Sequence, residues 1–317
     1  MRSTLWTALT LSLTAITAQA QDDCCCYYRQ PCPQVWTVSA DAVALQRSSP
    51  RHQVLLQNGT TVLADAHDLQ PGFEVGPRMT LVRRTRYGWD MEFSFFQLDG
   101  WEASLQDAGG AGRSAVFGTA TYPIASTDPF QGLYTSEFMN AEANVRIPIY
   151  EENVFQELSF LVGFRYANLK ERFQANLLSS PATSVWETDA ENRMYGLQIG
   201  ADGLLTYQIG PMRIGGLAKA GVFYNRSKVA NSSSLAGGSE TLANEDPAFL
   251  GEVGLSLLLP VTKHLTVRGG YECMWLQTVA LAPEQIPNSS LVGGNGQVNT
   301  HGDVFAHGAF VGLDLSF

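Results

Sequence analysis

Beyond residue 20 the chain lacks any run of the roughly 20 consecutive apolar residues that a membrane helix needs. Any crossing of a bilayer must therefore be made by strands. Charge is also sparse. Charged residues make up 16% of the 317, with a net charge of −10, and this acidic balance argues against a nucleic-acid partner. It does not argue against a membrane barrel, which is held by an apolar outer band and not by net charge. Cysteine is missing between Cys32 and Cys273. The common catalytic signatures are missing as well: there is no Gly-x-Ser-x-Gly elbow, no H-E-x-x-H zinc motif and no phosphate loop. Gly109-Gly110-Ala111-Gly112 sits in a long polar stretch and not at a strand-to-helix turn. No enzyme activity, metal or cofactor is expected.

What is there begins with an export signal. Arg2 precedes an apolar run from Leu5 to Thr17, followed by Ala18-Gln19-Ala20, the layout of a secretory signal peptide. Cleavage is expected after Ala20. Residues 21–34 then form a cysteine-rich tail and 35–317 the folded domain. Cys24, Cys25, Cys26 and Cys32 crowd that tail. In an oxidising compartment they are expected to form disulfides, within or between chains, or to lie in a flexible segment. A metal site is the weaker alternative, since adjacent cysteines lack C-x-x-C spacing. A lipoprotein signal would place a cysteine directly at the cleavage point, and Gln21-Asp22-Asp23 intervene.

From about Val35 the dominant period is two, the period of strands. Ten strands are expected, starting near Val35, Gly72, Gly88, Tyr134, Gln156, Glu191, Pro211, Asp246, Lys263 and His301. They end near Gln46, Arg83, Trp101, Ile149, Glu171, Ile209, Arg226, Pro260, Val279 and Phe317. Eight and twelve are the rival counts. Many run beyond the length of about five or six residues usual in soluble sheets. One face of the last strand carries Ala309, Val311, Leu313, Leu315 and Phe317; the other carries Gly308, Phe310, Gly312, Asp314 and Ser316. The first strand alternates less well, because Val43 and Leu45 share a face with Asp41.

A soluble sandwich would also alternate, so aromatic spacing is the sharper test. Trp89 and Trp101, Tyr195 and Tyr207, and Phe305 and Phe317 each lie twelve residues apart on apolar faces. Twelve steps of about 3.3 Å, tilted about 40°, project to roughly 30 Å. That fits an apolar band about 25 Å tall with an aromatic girdle at each rim. Short connections at Arg84–Tyr87, Tyr150–Phe155, Gly210 and Val261–Thr262 alternate with long polar ones at 47–71, 102–133, 172–190, 227–245 and 280–300. Bacterial outer-membrane barrels have short periplasmic turns and long outer loops. The expected fold is thus an antiparallel transmembrane β-barrel of the outer membrane, with both ends in the periplasm and outer-membrane lipid around it. The ending in Leu313, Leu315 and Phe317 resembles the terminal signal read by the outer-membrane assembly machinery, which makes that machinery an expected partner. Oligomeric state is left open.

Several stretches resemble the seventh of the so-named families of outer-membrane β-barrel porins. They are YGWDMEFSFF from Tyr87, LVGFRYANL from Leu161, YGLQIGADG from Tyr195, LAKAGVFYN from Leu217, LTVRGGYECMWLQTVALAPEQI from Leu265 and HGAFVGLDLSF from His307. The resemblance covers most of the chain after residue 34, best from about Phe160 onward. It implies an outer-membrane barrel.

In such a barrel the face opposite the apolar one lines the lumen. It would carry Glu74, Arg78, Asp90, Glu92, Glu142, Arg146, Arg165, Asp202, Arg213, Lys219, Glu252, Arg268, Glu272 and Asp314. Charges of both signs in a wet lumen can select solutes; in a narrow barrel they pair and fill it. A passive pore for small hydrophilic solutes is the first functional reading. A structural or surface-interaction barrel with an occluded lumen is the second. An enzyme with a site at the outer rim is the third; it would use His301 near Asp303, out of five histidines that also include His52, His67, His264 and His307.

Overall fold

The computed structural model describes residues 35–149, 155–178 and 183–317. The export signal, the tail with Cys24, Cys25, Cys26 and Cys32, and most of the expected turn at Tyr150–Phe155 lie outside the described residues. Fourteen strands are described: β1 (Trp36–Arg47), β2 (Val54–Asn58), β3 (Thr61–Asp65), β4 (Phe73–Arg84), β5 (Asp90–Asp107), β6 (Arg113–Phe117), β7 (Ala120–Pro123), β8 (Phe130–Ile149), β9 (Phe155–Leu177), β10 (Thr183–Ile209), β11 (Met212–Ser233), β12 (Gly238–Pro260), β13 (Leu265–Val279) and β14 (Gly302–Ser316). Ten of them close an antiparallel barrel in the order β1-β14-β13-β12-β11-β10-β9-β8-β5-β4, with β4 pairing back onto β1. The expected count of ten holds, and eight and twelve fall away.

Alternation builds the wall. Leu197 and Ile199 on β10, Val222 on β11, Leu255 on β12 and Val311 on β14 are all exposed on the outside. Their sequence neighbours turn inward, as a pleated strand requires. The turn between β10 and β11 is Gly210-Pro211. Gly210 adopts φ +59°, and the proline that follows supplies a negative φ, the order found in type II′ hairpin turns.

The long polar connections are largely not loops. Residues 172–190 and 227–245 are mostly strand, because β9 to β12 continue far past the apolar band. At 27 residues, β10 would span about 70 Å when tilted, nearly three times that band. Above the band the pattern inverts. Lys170 and Arg172 point outward on β9, while Phe173 and Ala175 are buried inside. A reading that looks for apolar residues on the lipid side ends each strand where this inversion starts. The connections after β1 and β5 also fold: they supply a second sheet of order β3-β2-β6-β7. The connection after β13 forms two short 3-10 turns, Pro283–Asn288 and Ser290–Val292.

One girdle residue is misplaced by the sequence reading. Between Leu98 and Trp101, β5 shifts register against β8. Three steps on β5 match two on β8, and one extra residue sends every later side chain to the opposite face. Trp101 is therefore inside, 3% exposed, with its indole Nε1 donating to the Leu45 carbonyl at 2.8 Å. Tyr195, Tyr207, Phe305 and Phe317 are exposed on the outer face. Trp89 lies in the β4–β5 turn and shares a shallow outer groove with Val145 and Ile147.

Candidate functional site: the barrel interior

The lumen is filled in three tiers. The first, toward the end with the short turns, is a network of paired charges. Arg165 reaches across from β9: Nη1 lies 3.1 Å from Glu252 Oε2, and Nε donates to Asn140 Oδ1 at 2.7 Å with Glu142 Oε1 3.6 Å away. Lys219 Nζ lies 2.8 Å from Glu142 Oε2 and 3.5 Å from Glu92 Oε1. Arg146 bridges Glu92 at 2.6 Å and Asp202 at 2.5 Å. Arg268 holds Asp41 through two parallel bonds of 2.8 and 2.6 Å, and its Nε lies 3.2 Å from Asp314. Arg78 pairs with Glu272 across the barrel. Strands that are not sheet neighbours are thereby tied through the lumen, as β9 is to β12 and β4 to β13. Most of these residues line a partly open cavity of about 220 Å³ whose wall includes Gly203, Gly215 and Gly254.

The second tier is apolar. Leu45, Leu98, Phe138, Leu169, Met194, Phe223, Leu250 and Leu276 form one packed cluster of inward side chains, each at most 2% exposed. Val43 belongs to it too. This explains why Val43 and Leu45 share a face with Asp41: all three point into the lumen, the acid into the charged tier and the aliphatics into the next.

The third tier is the outer end. The connection after β13 folds into the mouth, where Ala280, Leu281, Ala282 and Ile286 are buried. Asn192 of β10 clasps its backbone twice: Nδ2 donates to the Ala280 carbonyl and Oδ1 accepts from the Ala280 amide, both at 2.8 Å. Arg47 and Glu171 form a buried pair at 2.6 Å, and the second Glu171 oxygen accepts from the Ala282 amide at 2.8 Å. The Arg47 guanidinium also lies 5.4 Å from the Tyr134 ring centre, within cation–π range. In the same connection Glu284 is buried beside Arg51, Nε to Oε1 3.8 Å. Burial lifts its carboxyl above the ordinary carboxylate range; Arg51 opposes that lift, while Glu171 and Asp303 add to it.

Most of the expected lumen residues thus pair inside the barrel: Glu92, Glu142, Arg146, Arg165, Asp202, Lys219 and Glu252 share one network, while Arg78 with Glu272 and Arg268 with Asp314 form separate groups. Three stand apart. Glu74, Asp90 and Arg213 face inward by register but form no ion pair among the described residues, and Asp90 instead accepts from the Thr85 amide at 3.0 Å in the β4–β5 turn. The sequence reading missed Asp41 and Gln198 and the outer pair Arg47 and Glu171. Asn140 and Asn144 alternate with Glu142 and Arg146 and share their face by that spacing. Arg47 and Glu171 fell at strand ends, where inside and outside had not yet been assigned. His301 is exposed, with Nδ1 3.1 Å from Asn299 Oδ1. Its expected neighbour Asp303 is paired with Arg51 instead.

Comparison with family models agrees with this architecture. The family model described as "Putative beta barrel porin-7" matches residues 38–291. No curated protein matches. Among solved structures, Neisserial surface protein A is 11% identical, with 89% of this chain and 97% of that one covered and a TM-score of 0.29. The translocator domain of the autotransporter NalP from Neisseria meningitidis is 10% identical over 89% of each chain, with a TM-score of 0.42. The toluene transporter TodX from Pseudomonas putida is 9% identical over 90% of each, with a TM-score of 0.30.

Proposed function

We infer, for a chain that belongs to the beta barrel porin-7 family and is an outer-membrane β-barrel, that the lumen of this member is closed to passive flow and that its folded outer cap is the working surface. The observation that carries this reading is the apolar tier. In an open channel, inward side chains would touch water. Here Leu98 and Met194 have no exposed surface at all, and neither does Arg165 in the charged tier beneath them. Water has no access to their side chains past the packed tier, so a larger solute has no path in this conformation. Most of the charges that suggested solute selection are engaged with one another. The investment lies above the membrane, where four long strands, a second sheet and a buried connection build a rigid platform. Such a platform suits a structural or surface-interaction role.

Planar bilayers test this directly. Barrel protein whose folding is verified by heat-modifiable gel migration is expected to insert without stepwise conductance. Reproducible stepwise conductance from the wild-type chain would restore the passive-pore reading and sink this one.

A further inference from the structure

The outer surface changes character along one sharp line. Tyr166, Tyr195 and Tyr224 stand in cross-strand register on β9, β10 and β11, and the first two rings have centroids 5.0 Å apart. On the turn side of this row the outward residues are apolar: Phe164, Leu197 and Val222. On the cap side the next outward row is Asn168, Arg193 and Arg226, and the one after it Lys170, Glu191 and Lys228. Tyrosines at such a line mark the membrane–water interface. Arg193, Arg226 and Lys228 therefore sit at headgroup height on the loop side, which is the outer leaflet.

Their pairing is uneven. Lys170 lies 3.9 Å from Glu191, and Arg193 lies 3.0 Å from the same carboxylate, so one acid serves two cations. Arg172 has its own partner in Asp189 at 2.5 Å. Register sets Glu245 opposite Arg226, yet the two form no ion pair among the described residues. Arg226 and Lys228 are exposed and form no ion pair among the described residues. Arg226 also directly faces Arg193 across the strand pair. Like charges directly opposite each other in a sheet destabilise it unless an anion lies between them. Two guanidiniums with an ammonium one row above supply the charge-assisted donors that bind a phosphate.

We propose that this patch binds the phosphate-bearing headgroup of an outer-leaflet lipid, with the acyl chains lying down the apolar face below the tyrosine row. The phosphate oxygens bridge Arg193 and Arg226 and take a further contact from Lys228. This goes beyond the closed-lumen reading and does not depend on it.

The test uses the folded barrel in phosphatidylcholine nanodiscs doped with a minor fraction of diphosphorylated lipid A or of its dephosphorylated form. Native mass spectrometry then counts retained lipid. Preferential retention of the diphosphorylated form is expected, weakening as salt screens the contact. Arg226→Gln with Lys228→Gln should lower it about tenfold or more, given what each cation near a lipid surface contributes. Arg86→Gln, in the turn at the other end, should leave it unchanged. Equal retention of the two lipid forms by the wild type would overturn the proposal, as would a paired variant that retains lipid as the wild type does. Displacement of the lipid by inorganic phosphate would assign the patch to a free anion and overturn it too. Heat-modifiable migration checks each variant, and should the paired variant misfold, the wild-type comparison of the two lipid forms decides alone.

Discussion

Arg165 holds its guanidinium deep inside the barrel, and its setting shows what holds the interior together. An isolated ion there would cost far more than folding could supply. It is tolerated because Glu142 and Glu252 lie within ion-pair distance and Asn140 and Gln198 accept hydrogen bonds from the guanidinium. Removing the cation strands the carboxylates. Arg165→Met is expected to destabilise the barrel by about 3–5 kcal/mol, the usual cost of breaking a buried pair. Arg172→Met removes an exposed pair with Asp189 and should cost about 1 kcal/mol or less. Urea unfolding of both variants in the same lipid, followed by tryptophan fluorescence, separates them. Equal costs would mean that the interior is hydrated and the network dispensable.

Elements show where local rules are overridden. The membrane-spanning part of each strand was legible in the sequence, because lipid on one side and a polar lumen on the other impose a clean two-residue alternation. Both sides change above the band: Phe173 and Trp186 turn inward while Arg172 and Glu187 turn out. The period stays at two but its sign flips, so β9 was read as ending too early and β10 as starting too late. Trp101 was misread for another reason, since a bulge adds one residue without leaving a distinctive pattern. The connection after β13 was taken for a polar loop, although Ile286 packs and Glu284 is buried. Its pH response follows from the Glu284 carboxyl, lifted by burial above its ordinary range. The folded state then binds more proton than the unfolded one, so this contribution to stability is complete below the ordinary carboxylate pKa of about 4.3. It falls as pH rises through the lifted value. The protection of amides 281–292, taken relative to their intrinsic exchange rate at each pH, should accordingly rise on acidification from neutral pH. Glu284→Gln should be better protected than wild type at neutral pH, with a protection that no longer depends on pH; protection that falls on acidification would contradict the burial argument. Arg51, Glu171 and Asp303 all act on this carboxyl, so the readout is taken on the Gln variant as well as on the wild type.

For the whole molecule the question is how closure is distributed. A barrel plugged by one loop opens when that loop is cut. Here the connection after β13 is only the outermost of three tiers, and beneath it side chains of the barrel wall itself meet in the middle. Strand ties such as Arg165 to Glu252 and Arg268 to Asp41 belong to the wall and not to any insertion, so they survive removal of the cap. Replacing residues 283–297 with a short glycine-serine linker should leave a folded, heat-modifiable barrel, because none of the strand pairings of the wall involves that segment. It should also leave the barrel silent in planar bilayers, since Leu98, Phe138 and Phe223 still fill the lumen. Stepwise conductance from this deletion would locate the entire closure in one movable cap, and the protein would then be a gated pore and not a filled one. Silence from the deletion, followed by conductance once Phe138 and Phe223 are also cut to alanine, would place the barrier in the apolar tier. Silence from both leaves the charged network as the innermost barrier, which is the arrangement expected if the barrel interior is a structural core and the surface above the membrane performs the work.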